Sequence, residues 1–454
     1  MWGARVPRIH DPLPLGFAVG ASLLATAILL KAPPIVAVAV AGVFVVTVLR
    51  GVETLIAVCM LGAFGLIPGV DPNQFVAPNV KAYAFFFLLA VALMLLTWAL
   101  REAEGKERWP LPSNAVSLGL IGVLSYVVLV AVGSHPTQVP DLTTPFLILP
   151  ISGLAMILWL SHPDALAGLR RALPIAVLLL VLWALAYDAG AAGCGPCRTA
   201  VGTEVTNTGL LGAGSRLYTS GQNSFLALFV MAFAWAIYRP SFLPISLTAL
   251  GGLTIALQSS RAQYIAVLVG IVVLVAWKLR QLPVGGRLVL VLIFGLMVLA
   301  LALSPVGHRA ISAYTELQQG KGTGTYRLQL IEKTQENWTF FGQGFSTKTL
   351  DSGFDVDLGL PNTLLILGYF GAFVQLSLLG LGIWRGLKNA SIYGVTIAAV
   401  LLAALVSRPS LPLLEYGHSA AMFGAVLGLA AILVIPATAR RAQTPDPYRR
   451  TARP

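Results

Sequence analysis

The sequence predicts an all-α fold, a polytopic transmembrane bundle of 12–14 helices with a long extracytoplasmic loop that contains short amphipathic helices. Three observations carry this. The chain is 57% hydrophobic, above the roughly 45–50% of soluble domains. Apolar runs near the length that crosses a bilayer recur from one end of its 454 residues to the other. These runs are continuous, not alternating, which excludes a β-barrel.

In chain order the runs fall at 15–30, 35–49, 54–67, 82–100, 115–133, 144–160, 174–187, 222–238, 241–258, 262–277, 288–304, 360–384, 392–406 and 418–436. Those at 35–49, 54–67 and 174–187 are short for a bilayer, which sets the lower limit of the helix count. Arg5 and Arg8 hold the N-terminus in the cytoplasm. The first run leads straight through Lys31 into the next, so it reads as a first membrane helix that also serves as the targeting signal. Strict alternation then places the short basic connections inside, including Arg101, Arg170, Arg171, Arg239 and Arg385. The chain reads as one membrane domain, 1–454, with an outer loop at 188–221, a long outer (periplasmic) loop at 305–361 and a basic cytoplasmic tail at 437–454. The net charge of +12 sits at helix ends, not on one soluble face. That pattern fits contact with anionic membrane lipids and argues against nucleic acid.

The loop at 305–361 concentrates twelve charged or histidine side chains in a chain that is 11% charged. Long connections of this kind are usually functional. Leu328, Ile331, Gln335 and Trp338 fall at helical spacing, as do Ile311, Tyr314 and Leu317, so two surface helices are expected. The Gly320–Gly324 stretch is expected to separate them, and Phe341-Gly-Gln-Gly-Phe345 to make a second break, where glycine allows positive φ and close backbone approach.

Candidate chemistry gathers on the same side. Arg216, Arg261 and Arg327 are separated from one another by pairs of crossings, so all three face one side whatever the count upstream. Arg261 opens a membrane helix, where a cation opposes the helix dipole and an anionic ligand would relieve the conflict. The guanidinium fork suits pyrophosphate. Asp355 and Asp357 precede the closing helix and can serve as a base toward a hydroxyl. Lys348, Arg408, His418 and Trp338 are further candidates for substrate binding, and Tyr314, Tyr326, Trp338 and Phe345 for stacking on sugar faces. Cys194 and Cys197, as Cys-Gly-Pro-Cys without a surrounding βαβ unit, read as a disulfide that staples a loop. The sequence holds no Walker motif, no His-Glu-x-x-His and no Gly-x-Ser-x-Gly, so nothing points to a nucleotide, a metal or another cofactor.

Five pieces in order, Gly214-Ser-Arg216 with Gln222-Asn223, Ser259-Ser-Arg261-Ala-Gln-Tyr, Arg327-Leu-Gln-Leu, Phe341-Gly-Gln-Gly344 and Gly368-Tyr-Phe-Gly371, span residues 211–375. In this stretch the chain resembles the O-antigen ligase/polymerase (Wzy-like) family of bacterial envelope glycosyltransferases. The resemblance implies metal-independent glycosyl transfer at the outer face of the cytoplasmic membrane. It implies a lipid-linked oligosaccharide donor on undecaprenyl pyrophosphate, a glycan or lipid-glycan acceptor, and envelope polysaccharide assembly proteins as partners. Arg216, Arg261 and Arg327 would hold the pyrophosphate, and Asp357 or Asp355 would address the acceptor. Ligases of this family carry a His-Asn pair eleven residues before the first glycine of the closing helix. Here that position is Asp357-Leu358, which favours a polymerase over a ligase.

Three other readings fit parts of the sequence. A transporter or lipid flippase suits the helix number, but the charges gather at one face and no internal repeat is visible. A peptidoglycan glycosyltransferase of the SEDS kind also carries an outer-loop aspartate. An assembly partner without activity is the third.

Overall fold

A computed structural model describes residues 52–66, 75–77, 80–103, 114–134, 140–160, 165, 168, 222–258, 261–289, 291–292, 295, 319, 322–352, 359–389, 391–408 and 417–433. The expected runs at 15–30, 35–49 and 174–187, nearly all of 288–304, the loop at 188–221 and the tail lie outside these residues.

The described chain is helical. Its helices are α1 (Val52–Ala63), α2 (Ala82–Ala103), α3 (Ala115–Val132), α4 (Pro140–Leu160), α5 (Gln222–Tyr238), α6 (Phe242–Gln258), α7 (Arg261–Gln281), α8 (Gly322–Gln335), α9 (Thr347–Asp351), α10 (Leu360–Asn389), α11 (Ile392–Ser407) and α12 (Gly417–Ile432). One small antiparallel hairpin, β1 (Phe75–Ala77) with β2 (Val80–Lys81), precedes α2 and was not expected from the sequence. Within α2, α3, α4, α7 and α10 lie stretches long and apolar enough to cross a membrane. The protein is a multi-pass membrane protein. Exposed Leu88, Leu118, Leu129 and Ile265 face outward, as expected where the solvent is lipid.

Helix boundaries follow local chemistry. Asn114 caps α3, its side-chain oxygen accepting from the amides of Val116 and Ser117, each at 3.1 Å. Ser391 caps α11 by accepting from the Gly394 amide at 3.1 Å. At the far end of α12, the Arg385 guanidinium donates to the carbonyls of Ala430, Ala431 and Leu433. A helix C-terminus leaves such carbonyls without intrahelical donors, and a cation there is favoured by the dipole.

The centre is built on small residues. A Cβ on Gly424 would lie 2.1 Å from the Leu149 carbonyl oxygen, and one on Gly428 would lie 2.4 Å from that of Gly153. α4 and α12 therefore run side by side at backbone contact, in the same direction, and Ser152 donates to the Ala421 carbonyl at 2.6 Å. Lipid is as apolar as leucine, so close packing of this type supplies the attraction between membrane helices.

The closing helix is not the continuous element that the run at 360–384 predicts. α10 breaks at Gly368, which adopts φ 70° and ψ −173°. The break frees carbonyls before it and amides after it, and a loop segment takes up both sets. Gln343 and Gly344 donate their amides to Leu365 and Ile366, at 2.8 and 3.0 Å. Tyr369 and Phe370 donate theirs to Thr339 and Phe340, at 3.1 and 3.0 Å. Tyr126, from α3, donates its hydroxyl to the Leu367 carbonyl at 2.9 Å. Gly342 and Gly368 meet back to back inside this brace. The break expected at 341–345 is thus present, with positive φ at Gly342 and Gly344.

Two other loop expectations are corrected. Gly322 and Gly324 lie within α8, so residues 322–324 open a helix where they were expected to be part of a separator. Trp338 lies beyond the end of α8, and Leu328 and Gln335, its predicted face-mates, are exposed. The chain leaves the helix at Gln335 because residues 339–344 are engaged by the broken helix instead. The described part of the loop is a brace against the bundle as well as a surface feature.

Candidate functional site

Arg408, directly after α11, is 1% exposed and is the one fully buried Lys, Arg, Asp or Glu among the described residues. Its Nη2 donates to Thr363 Oγ1 at 2.9 Å and to Gln375 Oε1, and its carbonyl accepts from the Leu360 amide at 3.1 Å. In a straight helix residues 363 and 375 would stand about 18 Å apart. One nitrogen reaches both here, so the two parts of α10 fold together at Gly368, with the guanidinium holding them. A buried cation is costly unless its donors are satisfied, and the planar fork of arginine can serve several acceptors at once.

Around this end of the bundle lie buried polar atoms of a different kind. Gln263 is 1% exposed, and neither its Nε2 nor its Oε1 has a hydrogen-bond partner. The hydroxyls of Ser224 and Ser419, both fully buried, also lack one. Gln263 continues the buried stripe of Ala266, Gly270 and Leu274 on α7, so its amide faces the inside of the bundle. At Gly270 that stripe meets Val230 of α5 and approaches the Ala399 carbonyl of α11. Gln263 stands seven residues before Gly270, and Ser224 six before Val230, so each lies about 10 Å from that contact along its helix.

The same measure holds across α10. A Cβ on Gly382 would meet Leu401 of α11 at 2.7 Å and Leu427 of α12 at 3.0 Å. Arg408 follows Leu401 by seven residues and Ser419 precedes Leu427 by eight, again about 10–12 Å toward one end. The alternation of crossings expected from the sequence assigns the starts of α5 and α7 to this end too. α5 packs against α7, α11 and α12 and is the neighbour common to all of them.

His418, in the first turn of α12, is 1% exposed and sets its ring edge-on to Tyr83 at 6.3 Å. Arg408 and His418, both expected to bind substrate, are thus interior residues. Trp338 is half-buried and packs edge-on against Tyr369, just beyond the helix break, at 6.4 Å. Phe345, expected to offer a face to sugars, is fully buried against Phe146 at 5.7 Å, and its amide is held by Ser134 Oγ at 3.1 Å. It is a core residue, because the brace draws this end of the loop onto the tip of α3.

Arg261 is the first residue of α7, Arg327 belongs to α8, and Lys348 to α9. α8 packs against α10, so the helix bearing Arg327 adjoins the broken element. Arg216, Asp355, Asp357, Tyr314, Cys194 and Cys197 lie outside the described residues.

Gln263, Thr363 and Gln375 were not singled out in the sequence. For Gln263 a signal existed, since it is the polar member of an otherwise apolar stripe at helical spacing. For Gln375 there was none, because only the fold at Gly368 brings it to Arg408. Compared with known proteins, the chain matches no protein-family model and no curated protein.

Proposed function

We propose that this protein is a membrane glycosyltransferase that acts on undecaprenyl-pyrophosphate-linked glycans at the outer face of the bacterial cytoplasmic membrane, with both termini in the cytoplasm, and that it polymerises surface polysaccharide in preference to ligating it. The observation that best supports this reading is the concentration of polar and cationic groups at one end of an apolar bundle, where Arg261 opens α7 and Arg408, Gln263 and His418 lie buried. Groups of this kind are expensive in a membrane protein and mark sites of function.

In this reading Arg216, Arg261 and Arg327 bind the pyrophosphate. The acceptor hydroxyl attacks the anomeric carbon of the donor, and the bond from that carbon to the pyrophosphate oxygen breaks. The leaving pyrophosphate takes the bonding pair, and the arginines stabilise its charge as it develops. Asp357 or Asp355 accepts the hydroxyl proton. No metal or other cofactor is required by this chemistry.

The test is direct. Purified protein is incubated with lipid-linked oligosaccharide and a glycan acceptor, and product length is followed. A ladder of longer lipid-linked products is expected, whereas a single addition would indicate a ligase. Arg261→Ala is expected to lower the transfer rate by about 10²–10³-fold, and equal activity of this variant and wild type would remove the arginine site from the reading.

A second reading has one observation in its favour. A helix broken inside the membrane domain is a feature of transporters, where freed backbone groups coordinate the cargo. At Gly368, however, the loop 339–344 and Tyr126 occupy those groups. Transbilayer movement of labelled lipid without covalent change would favour a flippase.

A further inference from the structure

Gln263, Ser224 and Ser419 share three properties. Each is buried, each has a polar atom without a partner, and none carries charge. Folded proteins rarely leave buried polar atoms unpaired, because each retains its full desolvation cost. Two of the other unpaired atoms are set apart from these three. Thr54 lies in the first turn of α1, next to Glu53, which receives the Trp159 indole near the end of α4. Trp338 lies on the loop brace. Gln263, Ser224 and Ser419 instead lie in the opening turns of α7, α5 and α12, which the alternation of crossings expected from the sequence puts at one end of the bundle.

Their chemistry is selective. A carboxamide has two donor hydrogens on Nε2 and lone pairs on Oε1, and a serine hydroxyl both donates and accepts. Phosphate oxygens only accept, so an anion would leave half of this capacity unused. Sugar hydroxyls donate and accept at once, as these groups do. We infer that Gln263, with Ser224 and Ser419, forms an uncharged buried subsite that hydrogen-bonds the hydroxyl groups of a sugar, beside the cationic groups that hold its phosphate. The inference rests on the glycosyl-transfer reading and adds to it the part of the donor that these residues recognise. Gln263 and Arg261 both belong to the opening turn of α7, about 3 Å apart in rise, so the amide lies at the level of the helix start where the pyrophosphate would bind.

The experiment measures binding to protein in nanodiscs. The probes are undecaprenyl pyrophosphate alone, the same lipid bearing one hexose, and the same lipid bearing one N-acetylhexosamine. Wild type is expected to bind at least one sugar-bearing lipid about tenfold tighter than the bare lipid, the gain of roughly one or two satisfied hydrogen bonds. Gln263→Met keeps the side-chain volume and removes the amide. It is expected to abolish the advantage, to leave affinity for the bare lipid unchanged, and to hold or raise the thermal midpoint. Ser224→Ala is expected to reduce the advantage in part, and it carries the test if Gln263→Met does not fold.

Equal affinity of wild type for all three lipids would overturn the subsite and leave the pyrophosphate reading standing. A parallel loss for bare and sugar-bearing lipid in Gln263→Met would assign the amide to the phosphate and overturn the subsite likewise. A fall in thermal midpoint in Gln263→Met would show a structural amide. If wild type binds none of the three, the glycosyl-transfer reading fails and the subsite with it.

Discussion

Gly342 and Gly368 determine each other. A Cβ on Gly342 would lie 2.2 Å from the Ile366 carbonyl oxygen, and one on Gly368 would lie 2.3 Å from the Gly342 amide nitrogen. Both residues also have positive φ, 79° and 70°, where any other L-residue is strained. The neighbouring atoms are backbone on both sides, so nothing can move aside cheaply. Gly342→Ala and Gly368→Ala are each expected to destabilise by about 3 kcal/mol or more, strain and overlap together. Gly122, with nothing within 4 Å of its added Cβ, is the control, and Gly122→Ala should be neutral or slightly stabilising. Thermal midpoints of the purified variants in one detergent check all three. Both glycines stood out in the sequence, within Phe341-Gly-Gln-Gly344 and Gly368-Tyr-Phe-Gly371. Their mutual contact did not, since 26 residues separate them.

At the scale of elements, α10 illustrates the demand that buried backbone groups find partners. A break in a membrane helix is tolerated when other parts of the protein supply the missing bonds. Here the supply comes from residues 339–344 and from the hydroxyl of Tyr126. Tyr126→Phe keeps the ring contact with Phe370, centroids 5.0 Å apart, and removes the hydroxyl with its bond to the Leu367 carbonyl at 2.9 Å and its longer contact with that of Phe341 at 3.4 Å. A loss of about 1–2 kcal/mol is expected, read as a lower thermal midpoint, and an unchanged midpoint would mean that another donor replaces the hydroxyl. The long helices were legible in the sequence because an apolar run near the length of the bilayer has few other fates. The break was not legible, because glycine inside a membrane helix is common and continuity depends on what lies beside it. α8 begins earlier than its glycines suggest for a related reason, since glycine's low helix propensity is a weak preference that tertiary contacts override.

At the scale of the molecule, α4 and α12 form the most extensively packed helix pair, and α12 also packs against α1, α2, α3, α5, α10 and α11. Their approach at Gly153, Gly424 and Gly428 leaves no room for a side chain. Gly424→Leu is expected to part the two helices, which separates the start of α12, with His418 and Ser419, from its neighbours. The folded, monodisperse fraction on size-exclusion chromatography should fall sharply, and wild-type behaviour would show that the pair can adjust. α4 and α12 run parallel, and the successive helices α10 and α11 run antiparallel.

The sequence by itself determined that the chain is helical and multi-pass, and where most of its described helices begin and end. Hydrophobicity over a fixed bilayer thickness is a local property, and it can be read one run at a time. Only the tertiary structure decided which polar residues face one another. Arg408 reaches Thr363 and Gln375 because α10 folds at Gly368, and Gln263 is buried because α7 turns its stripe toward α5 and α11. Those are relations between distant positions, set by packing and by the pairing of buried hydrogen-bonding groups; the stripe on α7 marks Gln263 in the sequence, but no local pattern encodes what either residue meets.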